Sequence, residues 1–222
     1  MPPQDHGIRN KWFAEALSKD LYQVSSIKKI EFAGKSDFQN CDIMELGSFG
    51  RCLVLDNMMQ SSEIDEFIYH ETLIHPALLT HPNPKRVFIG GGGECATARE
   101  ILRHKSVEEV VMVDIDGYVV DLCKKFLPNH HKNSFEDKRF KLIIDDAKKI
   151  LEESPDNHYD IIIMDLADPL EGGPCYQLYT VEFYEMCKRK LTADGVFATQ
   201  AGLCGLQTFT DMFTPLCKTL QE

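Results

Sequence analysis

Two aspartates, Asp165 and Asp168, lie three positions apart where the apolar run IIIMD opens into the loop LADPLEGGPCYQLYT. The end of a buried strand is where a parallel sheet presents its ligand-binding groups. Glu94, in the stretch GGGGEC, follows another apolar run, so the three acids together would form an anionic cleft. Such a cleft raises the local concentration of cations, which predicts a cationic amine as ligand.

The chemistry expected there is the deprotonation of an amine as it attacks an activated carbon. An aliphatic ammonium has a pKa near ~10, so about 4 kcal/mol is needed to expose its lone pair at neutral pH. A nearby carboxylate can accept that proton during the attack. One of the two aspartates, Asp165 or Asp168, would be this general base, and its partner would position the substrate cation. The alternative for Asp168 is a helix N-cap or a turn residue before Pro169.

The glycine-rich stretch GGGGECATARE predicts a nucleoside site beside these acids. Gly91, Gly93 and Ala96 form the spacing G-x-G-x-x-A. Asp114 follows Gly93 by 21 residues, at the end of the next apolar run, where its carboxylate could accept both ribose hydroxyls. NAD and an adenosyl ligand both fit this pattern. Glu94 argues against a dinucleotide, because pyrophosphate prefers a helix N-terminus without a carboxylate; alternatively, Glu94 only favours the helix dipole.

A further acid pair, Asp145 and Asp146, follows the next apolar run in the stretch IIDDA. One of the two carboxylates could contact an adenine amino group, and Asp146 is the better candidate. Taken singly, each acid at these strand ends could instead cap the helix that follows it. Together with the glycine-rich loop, the acids favour an adenosyl nucleoside pocket.

Five apolar strands that alternate with amphipathic helices would position these residues. The strands are RVFIG, VVMVD, FKLII, YDIIIMD and VFATQ, with helical stretches such as ATAREILRH and VEFYEMCKRKL between them. This alternation predicts an α/β fold with a doubly wound, parallel, Rossmann-like sheet over residues 66–222. Residues 1–65 carry short alternating segments such as YQVSSIKKIEF and RCLVLDN, which predict a small N-terminal β-strand domain.

Composition narrows the class of protein. The net charge of −11 argues against a general nucleic-acid-binding protein. The eight cysteines form no C-x-x-C pair, which favours reduced thiols in the cytoplasm over disulfides or a zinc site. The sequence shows neither a secretory signal nor a run of roughly 18 apolar residues, so we expect no membrane association. His130 and His131 lie in a polar stretch where we expect them to be solvated, and no metal site is predicted.

Four longer stretches together resemble the polyamine aminopropyltransferase family, which contains the spermidine and spermine synthases. They are LVLDNMMQSSEIDEFIYHE, HPNPKRVFIGGGGE, VVMVDID and DLADPLEGGPCYQLYT, and the resemblance runs from about Trp12 to the last residue. It implies a fold of the class I S-adenosylmethionine-dependent transferase type. It also implies decarboxylated S-adenosylmethionine as donor and a polyamine as acceptor. The donor is a co-substrate, so no cofactor is implied.

The resemblance implies roles for individual residues. Tyr69 and Asp168 would hold the polyamine together with Asp165, the general base. Glu94 would bind the donor's amine and repel the carboxylate of ordinary S-adenosylmethionine, which is discrimination by an unfavourable charge contact. The remaining donor-binding residues would be Gln39, His70, Gly91, Asp114 at the ribose, Asp146 with Ala147 at the adenine, and Pro174 at the nucleoside pocket.

Within this family, the stretch DLADPLEGGPCYQLYT is most similar to the thermospermine synthases, whereas spermidine synthases usually carry a D-S-S-D-P type stretch. We therefore expect aminopropyl transfer to spermidine, giving thermospermine and 5′-methylthioadenosine. A spermine or spermidine synthase is the first alternative, and a methyltransferase, which Glu94 argues against, is another. A non-catalytic polyamine- or nucleoside-binding subunit is the alternative from a different class.

The sequence departs from the family's pattern at two places. Cys95 stands where the family's loop often has glycine, so we expect its side chain near the donor. The family usually continues past the final helix into further strands, so the domain ending at Glu222 is expected to be truncated, with an exposed sheet edge. The N-terminal strands resemble the segment through which the family assembles, which implies a homodimer or homotetramer.

Overall fold

The structure is a computed structural model that describes residues 11–169, 175–202 and 212–222. The chain divides into two compact units, Met1–Asp65 and Glu66–Glu222.

The first unit is an antiparallel sheet whose five strands pair in chain order. Its strands are β1 (Lys11–Ser18), β2 (Leu21–Lys35), β3 (Asn40–Leu46), β4 (Gly50–Leu55) and β5 (Met58–Ser62). A two-residue turn at Asp56 and Asn57 joins β4 to β5, and both residues have positive φ, as tight hairpins require. One face of the sheet packs around Phe13, Leu46 and Val54.

The second unit alternates strands and helices. Its elements are α1 (Glu66–Thr80), β6 (Arg86–Gly91), α2 (Ala96–Leu102), β7 (Glu109–Asp114), α3 (Gly117–Phe126), α4 (Pro128–His131), β8 (Phe140–Ile144), α5 (Ala147–Glu153), β9 (Tyr159–Asp165), α6 (Val181–Lys190), β10 (Leu191–Thr199) and α7 (Phe213–Gln221), with 3₁₀ helices at Ser134–Glu136 and Tyr176–Tyr179. The strands form one parallel sheet in the order β10-β9-β6-β7-β8.

Alternating side chains of this sheet enter two cores, one on each face. Phe88 of β6 packs on the side that holds Phe183 of α6 and Leu216 of α7. Its neighbour Ile89 packs on the opposite side, with Ile74 of α1 and residues of α2. Because helices cover both faces, the three central strands β9, β6 and β7 are largely apolar, as in other parallel sheets.

The order of the strands determines where a ligand can bind. The chain runs outward from β6 through β7 to β8 and then returns to β9 on the other side of β6. Ligands of open α/β sheets bind at such a switch point, outside the carboxyl ends of the strands. The predicted parallel α/β sheet and the N-terminal β-strand unit are confirmed. Among the described residues, no helix is both long enough and apolar enough to cross a membrane.

Candidate active site

The ends of β6 and β9 approach each other closely at the switch point. Gly91 lies opposite Asp165 in the strand register, and the Gly92 backbone N–H donates a hydrogen bond to the Asp165 carbonyl oxygen at 2.9 Å. A Cβ atom added to Gly91 would lie 2.2 Å from that oxygen, and Gly91 has a φ of +81°. Both facts require glycine at this position.

The Asp165 carboxylate accepts a hydrogen bond at each of its oxygens. The Tyr69 hydroxyl on α1 donates to Oδ1 at 2.6 Å, and the Thr97 hydroxyl on α2 donates to Oδ2 at 2.5 Å. Desolvation and the negative charge of Glu94 raise the pKa of Asp165, while His70 and the two hydroxyls oppose that rise. A carboxylate in this position is a stronger base than an exposed one.

Tyr69 stays protonated at neutral pH and acts as the donor of its hydrogen bond. Burial of its hydroxyl end and the charge of Asp165 raise its pKa, although the residue as a whole is 41% exposed. The partly exposed ring of Tyr69 therefore lies beside the carboxylate that its own hydroxyl contacts.

A buried histidine lies between two glutamates next to this carboxylate. His70 Nδ1 is 2.7 Å from Glu66 Oε2, and His70 Nε2 is 3.4 Å from Glu94 Oε1. Burial would lower the pKa of His70, but the two glutamates and Asp165 raise it to about 10. Burial likewise opposes ionisation of Glu94, yet His70 brings the pKa of Glu94 below its usual value. At neutral pH the group is therefore an imidazolium between carboxylates.

Glu66 is fixed from its other side by Arg99 of α2. The guanidinium donates to both carboxylate oxygens of Glu66, at 2.7 and 2.9 Å, and its Nε donates to Glu100 at 2.7 Å. Desolvation opposes the charge of Glu66, but His70 and Arg99 lower its pKa to about 2. A fork-shaped pair of this kind fixes geometry as well as charge, so Arg99 fixes the Glu66 carboxylate that contacts His70 Nδ1 at 2.7 Å.

Asp114 ends β7 beside the glycine-rich loop. Its Oδ1 accepts the Asp116 backbone N–H at 2.8 Å, and a Cβ added to Gly93 would lie 3.0 Å from its Oδ2. Burial and the charges of neighbouring acids raise the pKa of Asp114 to about 7. The helix cap of α3 is Asp116 and not Asp114. This leaves the Oδ2 side of Asp114 as a hydrogen-bond acceptor at the loop.

Asp146 does cap the helix that follows it. Its Oδ1 accepts the Lys148 backbone N–H at 2.8 Å, and its Oδ2 accepts a long hydrogen bond from Gln177 at 3.4 Å. Ala147, the first residue of α5, is buried against the core. Asp145 pairs with Lys149 at 2.8 Å, and its other carboxylate oxygen accepts the Asp146 backbone N–H at 2.8 Å.

Asp168 is held by a glutamine that follows β10. Gln200 Nε2 donates to Asp168 Oδ1 at 3.1 Å, and also to the Leu166 carbonyl and the Tyr179 hydroxyl at 2.9 Å each. The N-cap of the next helical segment is Cys175, so Asp168 does not cap it. Asp168 is half-buried and lies in the loop that follows β9.

Two predicted donor residues, Gln39 and Pro174, lie outside the part of the second unit that the structure describes. Gln39 belongs to the first unit, in the turn before β3, where its carbonyl accepts the Ser36 N–H at 2.9 Å. Pro174 lies outside the described residues. Their roles stay predictions.

Comparisons with known proteins identify the family. Residues 66–221 match the family described as spermine/spermidine synthase domain, and residues 11–63 match the spermidine synthase tetramerisation domain. The chain belongs to the spermine/spermidine synthase family. The resemblance read from its motifs is thereby confirmed.

Two named relatives match most of this chain but only part of their own length. Thermospermine synthase ACAULIS5 of Arabidopsis thaliana is 49% identical over 212 residues, which cover 95% of this chain and 62% of the relative. A polyamine aminopropyltransferase of Aeropyrum pernix is 45% identical over 194 residues, covering 87% and 62%. The chain therefore spans less than two thirds of the length of these two relatives.

Solved structures of the family share the fold. A spermidine synthase in complex with the transition state analogue AdoDATO is 34% identical, with a TM-score of 0.83 over 90% of this chain and 66% of that one. Spermidine synthase from Thermotoga maritima is 32% identical, with a TM-score of 0.85 over 96% and 69%.

Two expectations about individual side chains were wrong. His130 and His131, in α4, are buried and not solvated. The backbone carbonyl of His130 accepts a hydrogen bond from Arg99. Cys95 does not expose its side chain at the loop: its backbone is left-handed, with a φ of 64°, and its fully buried side chain joins the core between the sheet and α1.

One group of possible metal ligands occurs among the described residues. The ligand atoms of Glu71, His75 and Glu100 lie within 4.8 Å of one another. Arg103 already pairs with both carboxylates, at 3.2 Å from Glu71 and 2.6 Å from Glu100. A cation there would have to displace an arginine, and the absence of a metal site stays a prediction.

The charge on His70 should make the folded state less stable as the pH becomes alkaline. Its pKa is 6.5 as a free group and about 10 in the fold, so proton binding favours the folded state between these values. The contribution is complete below pH 6.5 and is lost as the pH rises through 10. We expect the free energy of unfolding to fall by a few kcal/mol more between pH 7 and 10 in the unmodified chain than in His70→Gln. Urea titrations at each pH measure this, and parallel curves for the two chains would contradict it.

Proposed function

We propose that the chain transfers an aminopropyl group from decarboxylated S-adenosylmethionine to an amine of a polyamine. The observation that supports this most is the group of acids at the ends of β6, β7 and β9. The negative charge of Glu94 raises the pKa of Asp165, and a positively charged ligand between the two carboxylates would relieve their repulsion. A polyamine and a sulfonium donor are both cations.

The donor is proposed to extend along the carboxyl edge of the sheet, in the manner of class I S-adenosylmethionine-dependent transferases. Asp114 would accept hydrogen bonds from the ribose hydroxyls, since its Oδ2 faces the glycine-rich loop. Glu94 would bind the donor's ammonium, with His70 holding Glu94 in place. The remaining proposed contacts are Asp146 and Ala147 at the adenine, Gly91 at the loop, and Gln39 and Pro174 by resemblance.

The proposed reaction is a direct displacement. The acceptor nitrogen, as a free amine, attacks the methylene next to the sulfonium. The N–C bond forms as the C–S bond breaks, and that electron pair neutralises sulfur in the departing 5′-methylthioadenosine. Asp165 accepts the proton that the nitrogen must lose. The sulfonium is itself the leaving group, so the reaction requires no cofactor, and alignment of the two cations should supply much of the rate.

Tyr69 and Asp168 are proposed to hold the polyamine together with Asp165. Tyr69 is partly exposed and contacts Asp165. Gln200 orients Asp168, which lies in the loop that follows β9. The two carboxylates Asp165 and Asp168 suit a chain of protonated amines, because hydrogen bonds between an ammonium and a carboxylate are stronger than neutral ones.

Spermidine is the proposed acceptor and thermospermine the proposed product. Support comes from the stretch DLADPLEGGPCYQLYT and from the 49% identity to a thermospermine synthase. A spermine or spermidine synthase is the alternative, because other relatives are named only as polyamine aminopropyltransferases. A methyltransferase is disfavoured, since Glu94 would repel the carboxylate of its donor.

We also propose that the chain assembles as a homodimer or homotetramer through its N-terminal sheet. That sheet matches the tetramerisation domain of spermidine synthases. Trp12, Tyr22 and Val24 lie exposed on the strands β1 and β2, and apolar area of this kind is typical of an interface.

Product analysis tests the proposed function. The chain is incubated with decarboxylated S-adenosylmethionine and putrescine, spermidine or no acceptor, and the polyamines are separated by chromatography. We expect thermospermine, formed only with spermidine. Spermine alone, or spermidine formed from putrescine, would contradict the proposed product. No new polyamine with any acceptor would contradict aminopropyl transfer by this chain and favour the non-catalytic subunit.

A further inference from the structure

The two hydroxyls that bind Asp165 are not equivalent. Tyr69 is partly exposed and is proposed to contact the polyamine, so a ligand can compete for its hydroxyl. Thr97 is fully buried in the first turn of α2, behind the glycine-rich loop, and its hydroxyl donates to Asp165 Oδ2 at 2.5 Å. Its contact to the carboxylate therefore lies out of reach of a ligand.

Several groups act on Asp165 from the elements packed around it. They are Tyr69 and His70 of α1, Glu94 of the loop after β6, and Asp114 of β7. Desolvation and Glu94 favour the protonated form, in which a carboxyl group cannot accept a proton from an amine. The Thr97 hydrogen bond opposes that tendency because it is donated to the ionised form.

We propose that Thr97 is a positioning residue for the general base, a role that rests on the proposed function. Its hydroxyl fixes Oδ2 and so stops the carboxylate from rotating about its Cβ–Cγ bond. With Tyr69 at Oδ1, one lone-pair direction remains at each oxygen to receive the amine proton. Thr97 keeps its own proton throughout and touches neither donor nor acceptor.

Two substitutions of Thr97 distinguish the effect of its hydroxyl from the effect of its side-chain shape. Thr97→Val keeps the branched shape in a fully buried site and removes the donor, whereas Thr97→Ser keeps the donor. We expect Thr97→Val to lower kcat at pH 7 by about tenfold, with the KM for the donor little changed. We also expect the acid limb of its kcat–pH profile to move up by roughly one pH unit. Thr97→Ser should retain kcat within about threefold and keep the original profile.

A matched control removes a hydroxyl that has no part in the site. The Thr80 hydroxyl donates to the Pro76 carbonyl on the exposed end of α1, so Thr80→Val should leave kcat and its pH profile unchanged. Thermal unfolding of each variant verifies that it is folded. If Thr97→Val does not fold, Thr97→Ala replaces it in the comparison with Thr97→Ser.

A titration that needs no turnover distinguishes this inference from the proposed function. Carboxyl ¹³C NMR follows Asp165, whose resonance is identified by its absence from Asp165→Asn. We expect its midpoint to rise in Thr97→Val and to return in Thr97→Ser. An unchanged midpoint in Thr97→Val, or equal changes in the valine and serine variants, would overturn the role of the hydroxyl. Absence of turnover in the unmodified chain would instead contradict the proposed function alone.

Discussion

Asp165→Asn should lower kcat by roughly 10²- to 10⁴-fold, the range expected when a general base is removed. Asparagine keeps the size of the side chain and can still meet Tyr69 and Thr97, but its amide cannot take a proton from the attacking amine. Binding of the donor should change little, because the amine and ribose contacts are assigned to other acids. Single-turnover kinetics with saturating donor and acceptor measure this loss directly.

Asp156→Asn is the matched control. Asp156 lies exposed and pairs with Lys190 at 2.8 Å, so the same loss of charge there should leave kcat unchanged. Turnover by Asp165→Asn within about threefold of the unmodified chain would remove Asp165 as the base. A variant with weakened donor binding and normal kcat would assign Asp165 to binding only.

Glu94→Gln should weaken the binding of decarboxylated S-adenosylmethionine by roughly 10- to 100-fold. The variant loses the charge that is proposed to face the donor's ammonium and to repel the carboxylate of S-adenosylmethionine. The preference for the decarboxylated donor should therefore decrease on both counts. Because Glu94 raises the pKa of Asp165, its removal should also move the acid limb of the kcat–pH profile to lower pH. Calorimetric titration with the two donors measures the preference.

Glu108→Gln provides the control for this experiment. Glu108 is an exposed acid paired with Lys85 at 2.8 Å, and its neutralisation should leave both affinities as they were. If Glu94→Gln kept the full preference for the decarboxylated donor, the charge of Glu94 would not be what discriminates between the donors.

The parallel sheet was predictable because its signals are local. Each strand is a largely apolar run, and the first four runs end at or directly before an acid or a glycine, as at Gly91 and Asp114. Parallel strands carry their ends to one edge, so the acids Glu94, Asp114 and Asp165 could be grouped without coordinates. The two-residue turn at Asp56 follows from equally local chemistry.

The contacts that support these acids were not predictable, because they join residues far apart in the chain. Thr97 and Tyr69 meet Asp165 across 68 and 96 positions, and Arg99 meets Glu66 across 33. A threonine or arginine in the first turns of a helix is equally common on an exposed face. The burial of His130 likewise depends on where α4 packs, and the polar sequence PNHHKN does not predict that packing.

The most direct test of aminopropyl transfer at this acidic edge is the balance of its two products. The chain is mixed with decarboxylated S-adenosylmethionine and spermidine, and methylthioadenosine and the new polyamine are quantified in each quenched sample. We expect equal amounts of both products at every time, no methylthioadenosine without acceptor, and a loss of both in Asp165→Asn. Methylthioadenosine formed without an equal amount of polyamine, or equal amounts formed undiminished by Asp165→Asn, would contradict this expectation.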